Sequence, residues 1–105
     1  MTDMLQDYLV IDGSEVAEDE YGYYAALQRQ INNGSIWRMQ GSAGRAAMDA
    51  IEGGYCMCAR AKACYDFYGN RVPARGDLVP GSKGTWDFVA AHMGPEWAKQ
   101  MGDVQ

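Results

Sequence analysis

Branched and aromatic hydrocarbon side chains are scarce in this sequence: Leu, Ile, Val and Phe together number 16 of 105 residues. A fraction below about 20% is the range in which charged chains fail to bury enough apolar surface to fold. Other atoms must make up the core. Seven Met, seven Tyr and three Trp supply them, set among many Ala and 13 Gly. Such a core packs thioethers and rings against small residues, which let neighbouring elements approach closely. The expectation is one small compact domain over residues 1–105, α+β in class, with three to four helices and one or two short strands.

Charge divides the chain. Residues 1–20 hold seven acids and no base, whereas residues 21–105 hold seven acids and nine bases. The first part reads as an acidic N-terminal arm, either a solvated end or a surface that meets basic groups on a partner. Asp12, Glu15, Glu18, Asp19 and Glu20 are the acids best spaced to act together. No apolar run approaches the roughly 18 residues that a membrane span needs. Asp3 and Asp7, with no Lys or Arg in the first ten residues, are unlike a secretory signal, so a cytoplasmic protein is expected.

Periodicity places the elements. Tyr8–Ile11 is short, apolar and closed by Asp12-Gly13; it reads as a brief strand or as the end of a short helix starting near Thr2, with the strand favoured. Tyr24, Leu27, Gln28 and Ile31 share one helical stripe, ended by Asn32-Asn33-Gly34. Ser35–Gln40 reads as an extended link that buries Ile36 or Trp37. Ser42 opens a second helix with Ala43, Ala47, Ala50 and Ile51 on its inner face; Arg45 and Asp49 can pair on its outer face, and Gly53-Gly54 stops it. Tyr55–Cys58 suits a brief strand, and residues 69–84 an irregular loop. Thr85 caps a third helix bearing Trp86, Val89, Ala90 and Met93; Pro95 starts a last short one, and the tail beyond Gly102 should fray.

Four chemistries are raised by the residues and weakly supported by their spacing. Cys56, Cys58 and Cys64 with the single His92 would make four zinc ligands, but structural zinc sites use two separated pairs, so buried reduced thiols are expected and no metal or cofactor. Nothing selects one thiol to pair with His92 as a nucleophile and base, so no catalytic residue is expected. Gly41-Ser42-Ala43-Gly44-Arg45 opens a helix without a nucleotide-binding fingerprint around it. Tyr65, Phe67 and Tyr68 lie among Arg71 and Arg75, yet an isoelectric point near 4.6 opposes nucleic-acid binding. Tyr68, Arg71 and Arg75 instead suit a contact with protein, because Tyr and Arg are enriched in interface hot spots.

The stretches Trp37-Arg-Met-Gln-Gly-Ser-Ala-Gly-Arg-Ala-Ala-Met-Asp-Ala-Ile-Glu-Gly-Gly and Asp66-Phe-Tyr-Gly-Asn-Arg-Val-Pro-Ala-Arg cover less than a third of the chain. They resemble small accessory proteins of bacteriophages and prophages, and the chain is similar in style to inhibitors of the anti-CRISPR type. That resemblance implies a protein-binding inhibitor, not an enzyme, that docks on a host protein or ribonucleoprotein complex and obstructs it. It implies a monomer or homodimer in the host cytoplasm, with no direct contact to nucleic acid or membrane. The binding residues expected are Asp12, Glu15, Glu18, Asp19, Glu20, Tyr68, Arg71 and Arg75. Two other classes fit the residues: a phage assembly subunit that associates through Trp86, Met93 and Trp97, and a zinc-bearing nucleic-acid module.

Overall fold

Met57 has both its backbone N–H and its C=O bound by one side chain, that of Gln28, at 2.8 and 3.0 Å. Around this contact the computed structural model describes residues 4–11, 19–38, 42–60, 63–65 and 69–104. Among the described residues are five α-helices: α1 (Met4–Ile11), α2 (Glu20–Asn32), α3 (Ser42–Glu52), α4 (Trp86–Met93) and α5 (Pro95–Asp103). Two-residue strands β1 (Cys64–Tyr65) and β2 (Arg71–Val72) pair antiparallel, Cys64 opposite Val72 and Tyr65 opposite Arg71. The fold is thus mixed α+β and rich in helix, with one or two more helices than the sequence pattern suggests. Among the described residues no helix is long and apolar enough to cross a membrane.

The extra helix comes from Tyr8–Ile11, which is the last turn of α1 and not a strand. Helical spacing sets Asp7, Val10 and Ile11 on the face toward the core, where an alternating strand would turn Val10 away from the other two. Asp7 fixes that orientation. It is 2% exposed, and Arg29 of α2 grips it with Nε at 3.0 and 3.2 Å and Nη2 at 2.7 Å. Gln30 adds a donor at 2.6 Å. A buried carboxylate is tolerable only when its lone pairs are engaged in this way. Part of the acidic N-terminal segment therefore lies in the interior.

α2 carries the stripe read from the sequence, with Leu27, Gln28 and Ile31 fully buried. Its last turn passes into a 3-10 turn over Ser35–Arg38 that buries both Ile36 and Trp37, where an extended link was expected. Gln30 Oε1 accepts from Ser35 Oγ and Asn33 Oδ1 accepts from the Ser35 N–H, and these bonds fold the chain back. α3 buries Ala47, Ala50 and Ile51 as its Ala-rich face predicts. Thr85 caps α4 by accepting from the Phe88 N–H at 3.2 Å, and Pro95 stands in the first turn of α5. The C-terminal end is tied down where fraying was expected: α5 runs to Asp103, Val104 is buried, and its carbonyl accepts from Asn32 Nδ2 at 2.9 Å.

Tyr55–Ala59 belongs to no strand, yet Cys56–Ala59 are buried in succession. Its backbone groups find partners one at a time. Tyr55 and Cys56 N–H both donate to the Ala50 carbonyl, Cys58 N–H donates to Gly84 O, and Ala59 O accepts from Arg75 N. Two further carbonyls take side-chain donors, Trp97 Nε1 on Tyr55 and Arg75 Nε on Cys58, each at 3.0 Å. Side chains here do the work of neighbouring strands, so that a buried connecting segment keeps its hydrogen bonds.

Replacement of Gln28 with Met keeps the volume but strips Met57 of both partners. Leaving two buried backbone groups unsatisfied should cost about 2–5 kcal/mol in urea denaturation. A loss below about 1 kcal/mol would show that Gln28 is only a filler.

Candidate functional site

The 3.6-residue repeat of α2 sends Tyr21 and Tyr24 to one side of the helix, with Tyr23 beside them. The turn after α3 places Tyr55 against the same region, and α5 brings Trp97 to it. Tyr24 and Tyr55 stack with centroids 4.4 Å apart and planes 4° from parallel. Tyr23 meets Tyr24 edge-on at 5.0 Å. Trp97 meets Tyr21, Tyr24 and Tyr55 at steep angles, with centroids 5.9, 6.0 and 6.4 Å away. All five rings are half-buried, so the cluster is part core and part surface. Tyr23, Tyr24, Ala46, Asp49, Ala50 and Tyr55 border a cavity of about 260 Å³ within it.

Acids flank the rings. Asp19 caps α2, accepting from the Gly22 N–H at 2.7 Å, and Glu20 follows in the first turn. Asp49 is exposed on α3. The pairing with Arg45 expected from their spacing does not form: the ion pairs among the described residues are Arg29–Asp7 and Arg71–Asp77. Burial raises the Tyr23 phenol above its ordinary value, and the neighbouring Cys56 and Asp49 side chains raise it further. Tyr24 is raised by burial, then by its neighbours Tyr55, Tyr23, Glu20 and Cys56. These phenols stay neutral at physiological pH and act as hydrogen-bonding ring surfaces.

Of the binding residues expected from sequence, Asp12, Glu15, Glu18 and Tyr68 lie outside the described residues. Arg71 is exposed and pairs with Asp77 at 3.1 Å. Arg75 is turned partly inward: its Nε binds the Cys58 carbonyl, its Nη2 is buried without a partner, and burial beside Arg60 lowers its basicity. Arg60 itself donates to the Gly102 carbonyl. The fold therefore brings Asp19 and Glu20 to the tyrosine face and holds Arg71 and Arg75 elsewhere. Tyr65 and Trp86 are exposed at 65% and 42%, while Trp97, read with Trp86 as an association surface, belongs to the ring cluster.

The thiols and the imidazole are dispersed. Cys56 Sγ donates to the Tyr24 carbonyl at 3.4 Å. Cys58 lies against Gly84, where a Cβ would stand 2.7 Å from its sulfur; with a φ of +93° the position excludes other residues twice over. Cys64 lies against Gly34, and His92 crosses Gly54 with its Nδ1 3.0 Å from the Phe88 carbonyl. Among the described residues no three His, Cys, Asp or Glu side chains come together as metal ligands. Burial holds the Cys56 and Cys58 thiols in the protonated form, although Arg75 partly opposes the effect at Cys58. A thiol so held is a poor nucleophile.

The tyrosine face was the feature missed in the sequence. Tyr21, Tyr23 and Tyr24 are visible there as a triplet, but Tyr55, Asp49 and Trp97 join them only through the fold. Comparison of the chain with protein-family models, with curated proteins and with solved structures finds no match. The site's geometry is accordingly the basis for a functional reading.

Because Cys56 is fully buried and its acidity is suppressed, the folded chain keeps a proton that the unfolded chain loses above its ordinary value of 9.0. Stability should be present in full below about pH 9 and fall as pH rises beyond it, by up to about 1.4 kcal/mol per pH unit for this one proton. Urea titrations from about pH 8 to 10.5 should show a shallower decline for Cys56→Ala than for the parent. Equal slopes would mean that the thiol ionises freely in the folded state.

Proposed function

We propose that this chain is a phage- or prophage-type inhibitor that docks on a host nucleic-acid-handling defence complex and obstructs it. The observation that carries this reading is the half-buried tyrosine cluster flanked by Asp19, Glu20 and Asp49. Tyr and Trp offer large contact area at small conformational cost and dominate interface energetics. The acids choose the kind of surface: they attract Lys and Arg and repel a phosphate backbone. A protein that handles nucleic acid displays such a basic surface where the nucleic acid runs. Covering it would block access without any bond being made or broken.

The acids of residues 12–20 extend this charge along the chain toward the cap of α2, and an acidic face speeds encounter with a basic one in a salt-dependent way. Arg71 and Tyr68 belong to a second contact in this reading. The partner is a protein or ribonucleoprotein complex, met through its protein surface, and the inhibitor acts as a monomer or homodimer in the host cytoplasm.

A pull-down from host lysate identifies the complex, and titration against the purified complex then tests the mechanism. Inhibition should be complete near one inhibitor per target. Converting Asp12, Glu15, Glu18, Asp19 and Glu20 to their amides should weaken binding by about tenfold or more at low salt and flatten its salt dependence. Asn at position 19 still caps α2, so the fold should survive. Unchanged affinity and salt dependence in the five-fold variant, or inhibition by far fewer inhibitor molecules than targets, would sink the proposal.

A further inference from the structure

The cavity bordered by Tyr23, Tyr24, Tyr55 and Asp49 has a shape and a charge that together limit its guest. Its volume of about 260 Å³ lies below the roughly 300–1,000 Å³ of pockets that enclose drug-sized molecules, so it admits one long side chain. The parallel Tyr24 and Tyr55 rings and the Tyr23 ring, inclined at 79° to Tyr24, present aromatic walls in two orientations. Asp49 is the charged member of the lining, and the remaining members are the Ala46 and Ala50 methyl groups. Among the described residues no cation lines the cavity; Arg45, one turn before Asp49 on α3, is exposed and outside it.

An anion would meet the Asp49 charge with nothing to offset it. A divalent metal would find one carboxylate, too few ligands. A purely apolar side chain would leave Asp49 partly desolvated beside it. A cation satisfies both parts of the lining, because ring faces attract positive charge and the carboxylate completes the pair. Between the two cationic side chains, the planar guanidinium stacks on rings and can meet a carboxylate through two parallel N–H bonds; an ammonium is more strongly hydrated and does neither.

We propose that this pocket is a guanidinium site that receives one arginine side chain of the partner protein. The assignment rests on the docking reading above and names the residue type the partner presents. Arginine from the basic surface lies against the open side of the ring cluster, its aliphatic stem on Ala46 and Ala50, and its head group meets Asp49. The pocket then anchors the interface while the acids near the cap of α2 supply longer-range attraction.

The test uses the purified full chain and N-acetyl-arginine amide, with N-acetyl-citrulline amide as the neutral isostere, followed by NMR of the tyrosine rings and backbone amides. The arginine compound should give saturable shifts at Tyr23, Tyr24, Tyr55 and Asp49 in the millimolar range. The citrulline compound should bind at least about threefold more weakly, as should the arginine compound to Asp49→Asn, the modest factor expected of an exposed ion pair. Asp49 is exposed and holds no partner among the described residues, so the variant should keep the parent's amide spectrum elsewhere. Equal binding of the two compounds, no effect of Asp49→Asn, or shifts confined to other residues would overturn the site. If the arginine compound fails while the chain still binds and blocks its host complex, the pocket assignment falls and the docking reading stands. If it binds as expected and no host complex is inhibited, the guanidinium site stands and the inhibitor reading falls.

Discussion

The pairing of the Gln28 amide with both backbone groups of Met57 is the constraint on which the rest of this structure depends. A buried segment that belongs to neither helix nor sheet must still satisfy its N–H and C=O groups, and each failure costs free energy comparable to a lost hydrogen bond. Here Gln28 serves Met57, Trp97 serves Tyr55, Arg75 serves Cys58, and Ala50 and Gly84 supply backbone acceptors. Five separate parts of the chain are thereby tied to one short path through the interior. Cys56, Cys58 and Ala59 on that path are small, while Met57 is one of the largest fully buried side chains of the core.

The same path sets the candidate site. The Tyr55 carbonyl holds the Trp97 indole, and the Tyr55 ring stacks on Tyr24, so the end of the buried segment fixes the tyrosine cluster from below. Cys56, the next residue, donates to the Tyr24 carbonyl and fills the space behind the rings. The rings are consequently held by core contacts while part of each remains open to solvent. Preorganised aromatic surface of this sort loses little entropy on binding, which is what a docking face requires. The α1–α2 contact is anchored by a second network, Asp7–Arg29–Gln30, formed by the two residues of α2 that follow Gln28.

Much of the helical framework was legible because periodicity and caps are local. The Tyr24–Ile31 stripe, the Ala face of α3, the Thr85 cap and the Gly94-Pro95 junction all stand where spacing places them. Three local readings failed for a shared reason. Tyr8–Ile11, Ser35–Arg38 and Tyr55–Cys58 are short segments, and a strand, a helical turn and an irregular path differ little in intrinsic preference over four residues. Side-chain contacts decided each one, two of them from distant residues: Arg29 on Asp7 and Gln28 on Met57, with the nearer Gln30 side-chain oxygen on Ser35. The candidate site was less legible still. The acids at Asp19 and Glu20 could be read as a charge pattern, but nothing in the spacing joins Asp49 to Tyr55 or Trp97 to Tyr24.

By itself the sequence determined an acidic, helix-rich α+β chain whose core would be made from rings, thioethers and alanines, because composition and helical repeat act within a few residues of one another. Only the tertiary structure decided that the three thiols and His92 separate against different neighbours, that Arg75 faces the interior, and that the tyrosines of α2 meet Tyr55 and Trp97 beside a carboxylate. Those outcomes turn on which buried polar groups can find partners across 20 or more residues of chain, a condition no local pattern encodes.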